Sequence, residues 1–147
     1  MDEEVYSQSA QLLSLIERTG RIYADTFLKE KGISRGQAPY LMELYEDEGV
    51  SQDYLAQKTD TDKSTAARAL QKLEAAGFVR REQNPQDKRG NLVYLTDEGR
   101  KIYPYVKQLM GRWLRLVMVD LSEEEQHALA KALEVMAKQA RAYRQNV

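Results

Sequence analysis

The sequence predicts a mainly α-helical fold carrying one small β-hairpin, an α+β chain, and three observations lead there. Apolar residues recur at helical spacing over most of the 147 residues. Capping residues and glycines stand where that spacing breaks. Between residues 78 and 95 the pattern changes to short runs rich in β-branched and aromatic residues, with turn formers between them.

The elements follow in order. From Glu4 to Lys31 there is no proline, and Leu12, Ile16, Tyr23 and Phe27 fall on one face, with Leu13 and Leu28 beside them. Gly32 stops this long first helix. Ser34 is a candidate cap for a second helix whose apolar set is Tyr40, Leu41, Leu44 and Tyr45, and Gly49 ends it. Ser51 caps a short third helix, Gln52 to Lys58, with Asp53 favouring the helix dipole in the first turn. The TDTD stretch then breaks it, because Thr and Asp side chains compete for backbone hydrogen bonds. Asp62 or a neighbour caps a fourth helix that runs to Ala76, with Ala66, Ala69, Leu70 and Leu73 inward and Gly77 at its end. FVRREQ and NLVYL are the two strands of a hairpin whose charged tip is NPQDKRG. Thr96 caps a fifth helix with Ile102, Val106, Leu109, Trp113 and Val117 on one face, and Pro104 is expected to bend it near its start. In the sixth, Ser122 with Glu125 forms a capping box. Leu129, Leu133, Met136, Ala140 and Tyr143 then repeat at a heptad spacing.

Composition narrows the function. No run of about 18 apolar residues exists and the N-terminus is acidic where a secretory signal would be basic, so a soluble, cytoplasmic chain without a membrane partner is expected. With no cysteine there is no disulfide, thiolate metal site, catalytic thiol or thiol sensor. The one histidine, His127, has no ligand cluster at usable spacing, so neither a metal nor a cofactor is expected. The acid clusters DEE, EDE and EEE lie at chain ends, helix ends or caps, and no nucleophile with a base or paired acid set suggests an enzyme.

The net charge of −1 conceals a segregation. Residues 63 to 91 hold seven bases and three acids, an excess of four positive charges on an otherwise acidic chain. A local basic footprint suffices for phosphate binding, since only the docking face displaces counterions.

Helix, helix, turn, helix, hairpin is the order of a winged helix-turn-helix. In that arrangement the fourth helix enters the major groove with Lys63, Ser64, Thr65, Ala67, Arg68 and Lys72 outward. Arg68 is a bidentate donor for guanine, while Ser64 and Thr65 suit base edges or phosphate. Small Ala66 and Ala67 allow close approach. Ser51, Gln52 and Thr61, around the turn, are expected to touch phosphates. At the hairpin tip Lys88 adds charge and Arg89, beside Gly90, extends toward the minor groove. Asp87 is expected to accept a bidentate hydrogen bond from the Arg89 guanidinium and so aim it. The heptad seam needs a partner helix, and a homodimer is expected through Leu12 and Ile16 with Leu129, Leu133, Met136 and Tyr143.

The stretch from Ile33 to Gly99 resembles the MarR (multiple antibiotic resistance regulator) family of transcription factors. The matching pieces are ISRGQAPYLMEL, SQDYLAQ, DKSTAARALQKLEAAGFVRR and the wing DKRGNLVYLTDEG. The resemblance implies a winged domain at residues 33–99 flanked by helical dimerisation regions at 1–32 and 100–147. It implies a homodimer that binds a pseudo-palindromic double-stranded DNA operator, represses transcription, and is released by a small, often aromatic or phenolic, ligand. By matching positions, Ser64, Thr65 and Arg68 carry over as recognition-helix contacts, and Asp87 and Arg89 as the wing pair. Ala66 and Ala67 depart from the larger or hydroxylated residues often found there, so no operator sequence carries over. With thiol and metal sensing excluded by composition, a small aromatic effector remains, and Tyr23, Tyr40 and Trp113 are the candidate lining. The alternative is a winged domain that binds protein instead of DNA, against which the exposed arginines stand.

Overall fold

The computed structural model describes residues 1–146, apart from the side chain of Met110. In chain order it has α1 (Glu3–Leu28), a 3₁₀ turn (Lys29–Lys31), α2 (Ala38–Glu46), β1 (Val50–Ser51), α3 (Gln52–Lys58), α4 (Lys63–Ala75), β2 (Val79–Gln83), β3 (Asn91–Leu95), α5 (Asp97–Val117) and α6 (Glu123–Gln145). The chain divides into two compact units, Met1–Trp113 and the residues from Leu114 onward.

Caps set the helix starts. Asp2, Ser51, Asp62 and Ser122 each accept a hydrogen bond from a first-turn backbone amide of α1, α3, α4 and α6 respectively, which satisfies donors that have no partner inside the helix. Gly32, at φ 73°, closes the 3₁₀ turn in the left-handed region. Ser34 does not cap α2. Its carbonyl instead accepts from the amides of Gln37 and Ala38, its own amide donates to the Gln37 side chain, and Gln37 takes the cap position. A turn thus precedes the helix and stands in for a cap, and Pro39 near the helix start removes one orphan donor.

The sheet has three antiparallel strands in the order β1-β3-β2. Val79 pairs with Leu95 and Gln83 with Asn91 along the hairpin, while Val50 pairs with Val93 and Ser51 with Leu92 on the other side of β3. The third strand, β1, adds to the expected hairpin. It is two residues long, too short to show any alternation in the sequence.

One core occupies the first unit. Leu28, Tyr40, Leu41, Leu44, Leu55, Leu70, Leu73, Val93, Leu95, Val106 and Leu109 are all fully buried in it. Each such side chain contributes on the order of 1.5–3 kcal/mol by leaving water. This core fixes α4 and the sheet to one frame. In the second unit α6 starts on the capping box of Ser122 and Glu125 and has no buried residue. Among the described residues no helix is long and apolar enough to cross a membrane.

Candidate nucleic-acid interface

The face of α4 follows from its inward set. With Ala66, Ala69, Leu70 and Leu73 buried, the turn-by-turn geometry leaves Lys63, Ser64, Arg68 and Lys72 exposed and Thr65 and Ala67 half-buried. Asp62 anchors the first turn: its Oδ1 accepts from the Thr65 amide at 2.7 Å and its Oδ2 from the Thr65 hydroxyl at 2.9 Å. Those two bonds, the amide first, hold the Asp62 carboxyl below its usual pKa, and the charge of Arg68 adds to them. Lys63 pairs with Asp53 of α3 at 3.3 Å, both well exposed.

The turn between α3 and α4 is ordered from within. Asp60 sits in the left-handed region at φ 55°, a conformation Asp tolerates better than most residues. Tyr40 and Thr61 hydroxyls lie 2.6 Å apart, Thr61 and Thr59 hydroxyls 3.0 Å apart, and Thr59 donates to the Leu55 carbonyl at 2.8 Å. Each hydroxyl has one hydrogen, so the direction is fixed from the carbonyl end: Tyr40 donates to Thr61, Thr61 to Thr59, Thr59 to Leu55. The structure thus joins a residue expected at a phosphate, Thr61, to one expected in an effector pocket, Tyr40, through an internal bond.

The wing tip is a set of turns. The amide of Asn84 bonds the Gly90 carbonyl at 3.0 Å, closing the loop. The Asn84 side chain accepts from Gln86 N at 3.0 Å, and Gln83 Nε2 donates to the Lys88 carbonyl at 3.2 Å. Asp87 accepts at Oδ1 from the backbone amide of Arg89 at 3.1 Å, and its carbonyl accepts from Gly90 N. The Asp87 carboxylate therefore engages the Arg89 backbone and not its guanidinium. An Asp two residues ahead of an amide reaches it through a short Asx turn, whereas the guanidinium of a side chain pointing to solvent lies farther off. Arg89 is left exposed. Ser51, Gln52, Arg81, Asn84, Asp87, Arg89 and Gly90 line one polar cleft, so the start of α3 and the wing face the same space.

Three residues fasten the wing through partners distant in the chain, which no sequence pattern states. Arg81 Nη1 donates to Gln52 Oε1 at 3.4 Å, and its buried Nε lies 3.3 Å from Glu74 Oε2 without an aligned hydrogen bond, so charge more than geometry holds it there. Glu48 Oε1 accepts from the Leu95 amide at 2.7 Å while Oε2 pairs with Arg100 at 2.6 Å. Glu48 belongs to the EDE stretch read as a helix-end acid cluster, and sequence carries no signal that a residue 47 positions away supplies its partner. Between β3 and α5, Thr96 donates from its hydroxyl to the Gly77 carbonyl, accepts there from Gly99 N at 3.1 Å, and bonds Phe78 O through its amide at 3.0 Å. A Cβ at Gly99 would collide with the Phe78 carbonyl oxygen, so glycine alone fits.

Of the seven bases in the 63–91 segment, Lys63, Arg80 and Arg81 are paired with Asp53, Glu82 and Glu74. Arg80 also lies over the Tyr94 ring, 4.5 Å from its centre. Among the described residues Arg68, Lys72, Lys88 and Arg89 form no ion pair.

Of the aromatic candidates, Tyr23 and Trp113 meet, with ring centres 5.6 Å apart, and Phe27 joins Tyr23 at 5.0 Å. The indole rests on Gly20, where a Cβ would come within 2.5 Å of its Nε1. Tyr40 is 1% exposed and its hydroxyl is committed to Thr61. Of the expected interface residues, Leu12, Ile16, Leu133, Met136 and Tyr143 are exposed and Leu129 is half-buried. His127 lies exposed on α6, with Nδ1 2.7 Å from the carbonyl of Glu123, and no group of three His, Cys, Asp or Glu among the described residues could hold a metal ion.

Residues 31–90 match the model of the MarR family. The chain is 31% identical over 127 residues to an uncharacterized HTH-type transcriptional regulator, YdgJ, of Bacillus subtilis, covering 86% of this chain and 77% of the relative. It is 30% identical to the HTH-type transcriptional regulator BilQ of Clostridium symbiosum over 83% of this chain and 85% of that one. A crystal structure of a MarR transcriptional regulator from Methanosarcina mazei superposes with a TM-score of 0.84 at 31% identity, covering 91% of this chain and 96% of that chain. A putative MarR family regulator from Listeria monocytogenes, complexed with 26mer DNA, superposes with a TM-score of 0.81 at 25% identity over 90% of this chain and 89% of that one. With its capped α4, three-stranded sheet and these likenesses over most of its length, the chain belongs to the MarR family of transcriptional regulators.

Proposed function

We propose that this chain is a homodimeric repressor that holds a pseudo-palindromic operator through α4 and the wing of each copy, and leaves it when a small aromatic or phenolic acid binds. The observation that carries the reading is a set of bases that form no ion pair. In a chain of net charge −1, Arg68 and Lys72 on α4 and Lys88 and Arg89 on the wing pair with no acid among the described residues. Unpaired arginines on an acidic protein are the footprint expected of a local phosphate-binding face. In this reading Arg68 reads a guanine edge, Ser64 and Thr65 lie at bases or phosphate, Lys63 and Lys72 touch phosphates, and Ala67 leaves room for close approach. Ser51 and Gln52, which share a cleft with the wing, serve the flanking phosphates, and Arg89 enters the minor groove. The Listeria relative complexed with DNA supports the same use of the fold.

The dimer is supported by apolar surface that a lone chain leaves in water. Leu12, Leu15, Ile16 and Ile22 on α1 are 41–68% exposed, and Leu133, Val135 and Met136 on α6 are 39–57% exposed. Exposed apolar surface on this scale marks an interface. Effector release rests on the Tyr23, Phe27 and Trp113 cluster in the first unit, an aromatic surface suited to stacking on a planar acid.

The test is fluorescence anisotropy of a labelled random duplex at low and moderate salt. Affinity that falls steeply with salt is expected, with a slope set by the number of phosphates neutralised. No binding, or binding indifferent to salt, sinks the reading. Trp113 is the sole tryptophan, so its emission reports on the effector site without labelling. Titration with 4-hydroxybenzoate is expected to change that emission and to lower operator affinity together. If a panel of aromatic acids moves neither, release by such ligands is wrong.

A further inference from the structure

Arginine is the best reader of guanine, but its side chain is long and flexible, and base discrimination depends on where the fork points. In the first turn of α4 the structure supplies a means of pointing it. The Thr65 hydroxyl donates its single hydrogen to Asp62 Oδ2 at 2.9 Å, so its lone pairs face away from the carboxylate. One of them meets Nη2 of Arg68, one turn along, at 3.5 Å. That contact is at the outer limit of a hydrogen bond and fixes a direction more than a position. The Asp62 charge also attracts the Arg68 guanidinium, so carboxylate, hydroxyl and guanidinium are coupled in sequence. Both donors in the chain run toward Asp62, so the two bonds polarise one another in one sense. Arg68 spends one of its five N–H groups on Thr65 and keeps the others for the groove.

We propose that Asp62, through Thr65, is the positioning residue that orients Arg68 for base reading, and that Thr65 meets DNA only as a hydrogen-bond acceptor or through its methyl group. This deepens the reading of α4 as the recognition helix and rests on it. The carboxylate contributes to sequence discrimination although its charge opposes phosphate binding. Asp62 has two separable roles: Oδ1 caps the helix through the Thr65 amide, and Oδ2 sets the sense of the hydroxyl. Asn caps a helix as well as Asp does. An Asn at this position offers an NH₂ to the hydroxyl in place of an acceptor. Thr65 then accepts from residue 62, and its own hydrogen turns toward the Arg68 donors, where it repels them.

The experiment selects from a fully randomised duplex library with wild-type, Asp62→Asn, Thr65→Val and Arg68→Ala full-length chains, and sequences the bound pool. Thermal melts and binding to the unselected library at low salt are run beside it. Arg68→Ala is expected to relax preference at one base pair in each half-site. Asp62→Asn and Thr65→Val are expected to relax the same base pair, on the order of tenfold, with melting close to wild type. Asp62→Asn is also expected to bind the unselected library more tightly, since a negative charge beside the phosphates is gone. If Arg68→Ala relaxes a base pair that Asp62→Asn and Thr65→Val leave intact, the positioning role is overturned while α4 remains the reader. That role is overturned equally if Asp62→Asn only tightens all binding in parallel. If Arg68→Ala changes no base preference, the reading of α4 itself fails and the inference falls with it.

Discussion

Asp87 and Arg89 illustrate how much a single side chain's partner decides. The Asp87 carboxylate is spent on the Arg89 amide, so it shapes the loop and leaves the guanidinium free. In the proposed complex, Arg89→Ala is expected to weaken operator binding by about 1–3 kcal/mol and to lower the salt slope by about one unit. Asp87→Ala is expected to weaken binding as well, by loosening the turn, and equilibrium titrations of both variants at two salt concentrations check this. Tighter binding by Asp87→Ala would mean that the acid acts only by repulsion.

The carboxylate of Asp62 makes stability depend on pH at the acid end. Its carboxyl is held below the ordinary value of 3.8 by the Thr65 amide and hydroxyl. A depressed native pKa means that the unfolded state binds the proton more readily. The stabilisation is therefore complete above the unfolded value and is lost as pH falls through the lower native one. Melting temperatures of wild type and Asp62→Asn between pH 7 and pH 2.5 are expected to differ in slope only below about pH 4. A difference in slope centred near neutrality would assign the effect to another group.

At the scale of elements, helix boundaries were legible because caps are local chemistry. Ser51, Asp62 and Ser122 each accept an amide three residues on, a relation that sequence spacing states outright. What was not legible depends on residues far apart in the chain. The two-residue β1 exists only because Val93 and Leu92 lie beside it. Glu48 means nothing until Leu95 and Arg100 arrive, and Ser34 lost its cap role to a turn completed by Gln37. In the candidate interface, residue types and positions on α4 were readable from periodicity. The partners of Thr65, Thr61 and Asp87 were not, since a hydroxyl or carboxylate has several neighbours in reach and packing chooses among them.

Tyr40 with Thr61 and Gly99 with Phe78 are contacts of this long-range kind. Tyr40→Phe removes the first donor of the hydroxyl chain behind the helix-turn-helix turn and is expected to cost about 1 kcal/mol. Urea unfolding monitored by circular dichroism measures it, with an unchanged midpoint as the adverse result. Gly99→Ala drives a methyl group into the Phe78 carbonyl, a backbone atom that cannot swing aside. A loss of about 1–3 kcal/mol, the range for overpacked sites, is expected in the same assay, and wild-type stability would show that β2 and α5 can separate freely.

For the whole molecule, the two units present different surfaces. The first closes a core around Tyr40, Leu70 and Val93 yet leaves Leu12, Ile16 and Ile22 of α1 in water, and in the second α6 buries no residue. Paired Ile16→Glu and Leu133→Glu substitutions are expected to shift sedimentation velocity from dimer to monomer at micromolar concentration. Operator affinity should fall more than the affinity of a single half-site, because the two reading heads would no longer act as one. A variant that sediments as wild type would place the interface elsewhere.

The joint at Thr96 bears on how such a sequence can vary in length. Only that residue separates β3 from α5, and its hydroxyl and amide tie it to Gly77, Phe78 and Gly99 at once. One inserted residue there would break all three bonds and turn the following helix by about 100°, since about 3.6 residues make a full turn. The tip from Asn84 to Gly90, by contrast, is exposed or half-exposed throughout and held mainly by bonds within itself and to Gln83. Insertions and deletions among diverging copies of this gene should therefore collect at the tip of the wing and be absent from its root.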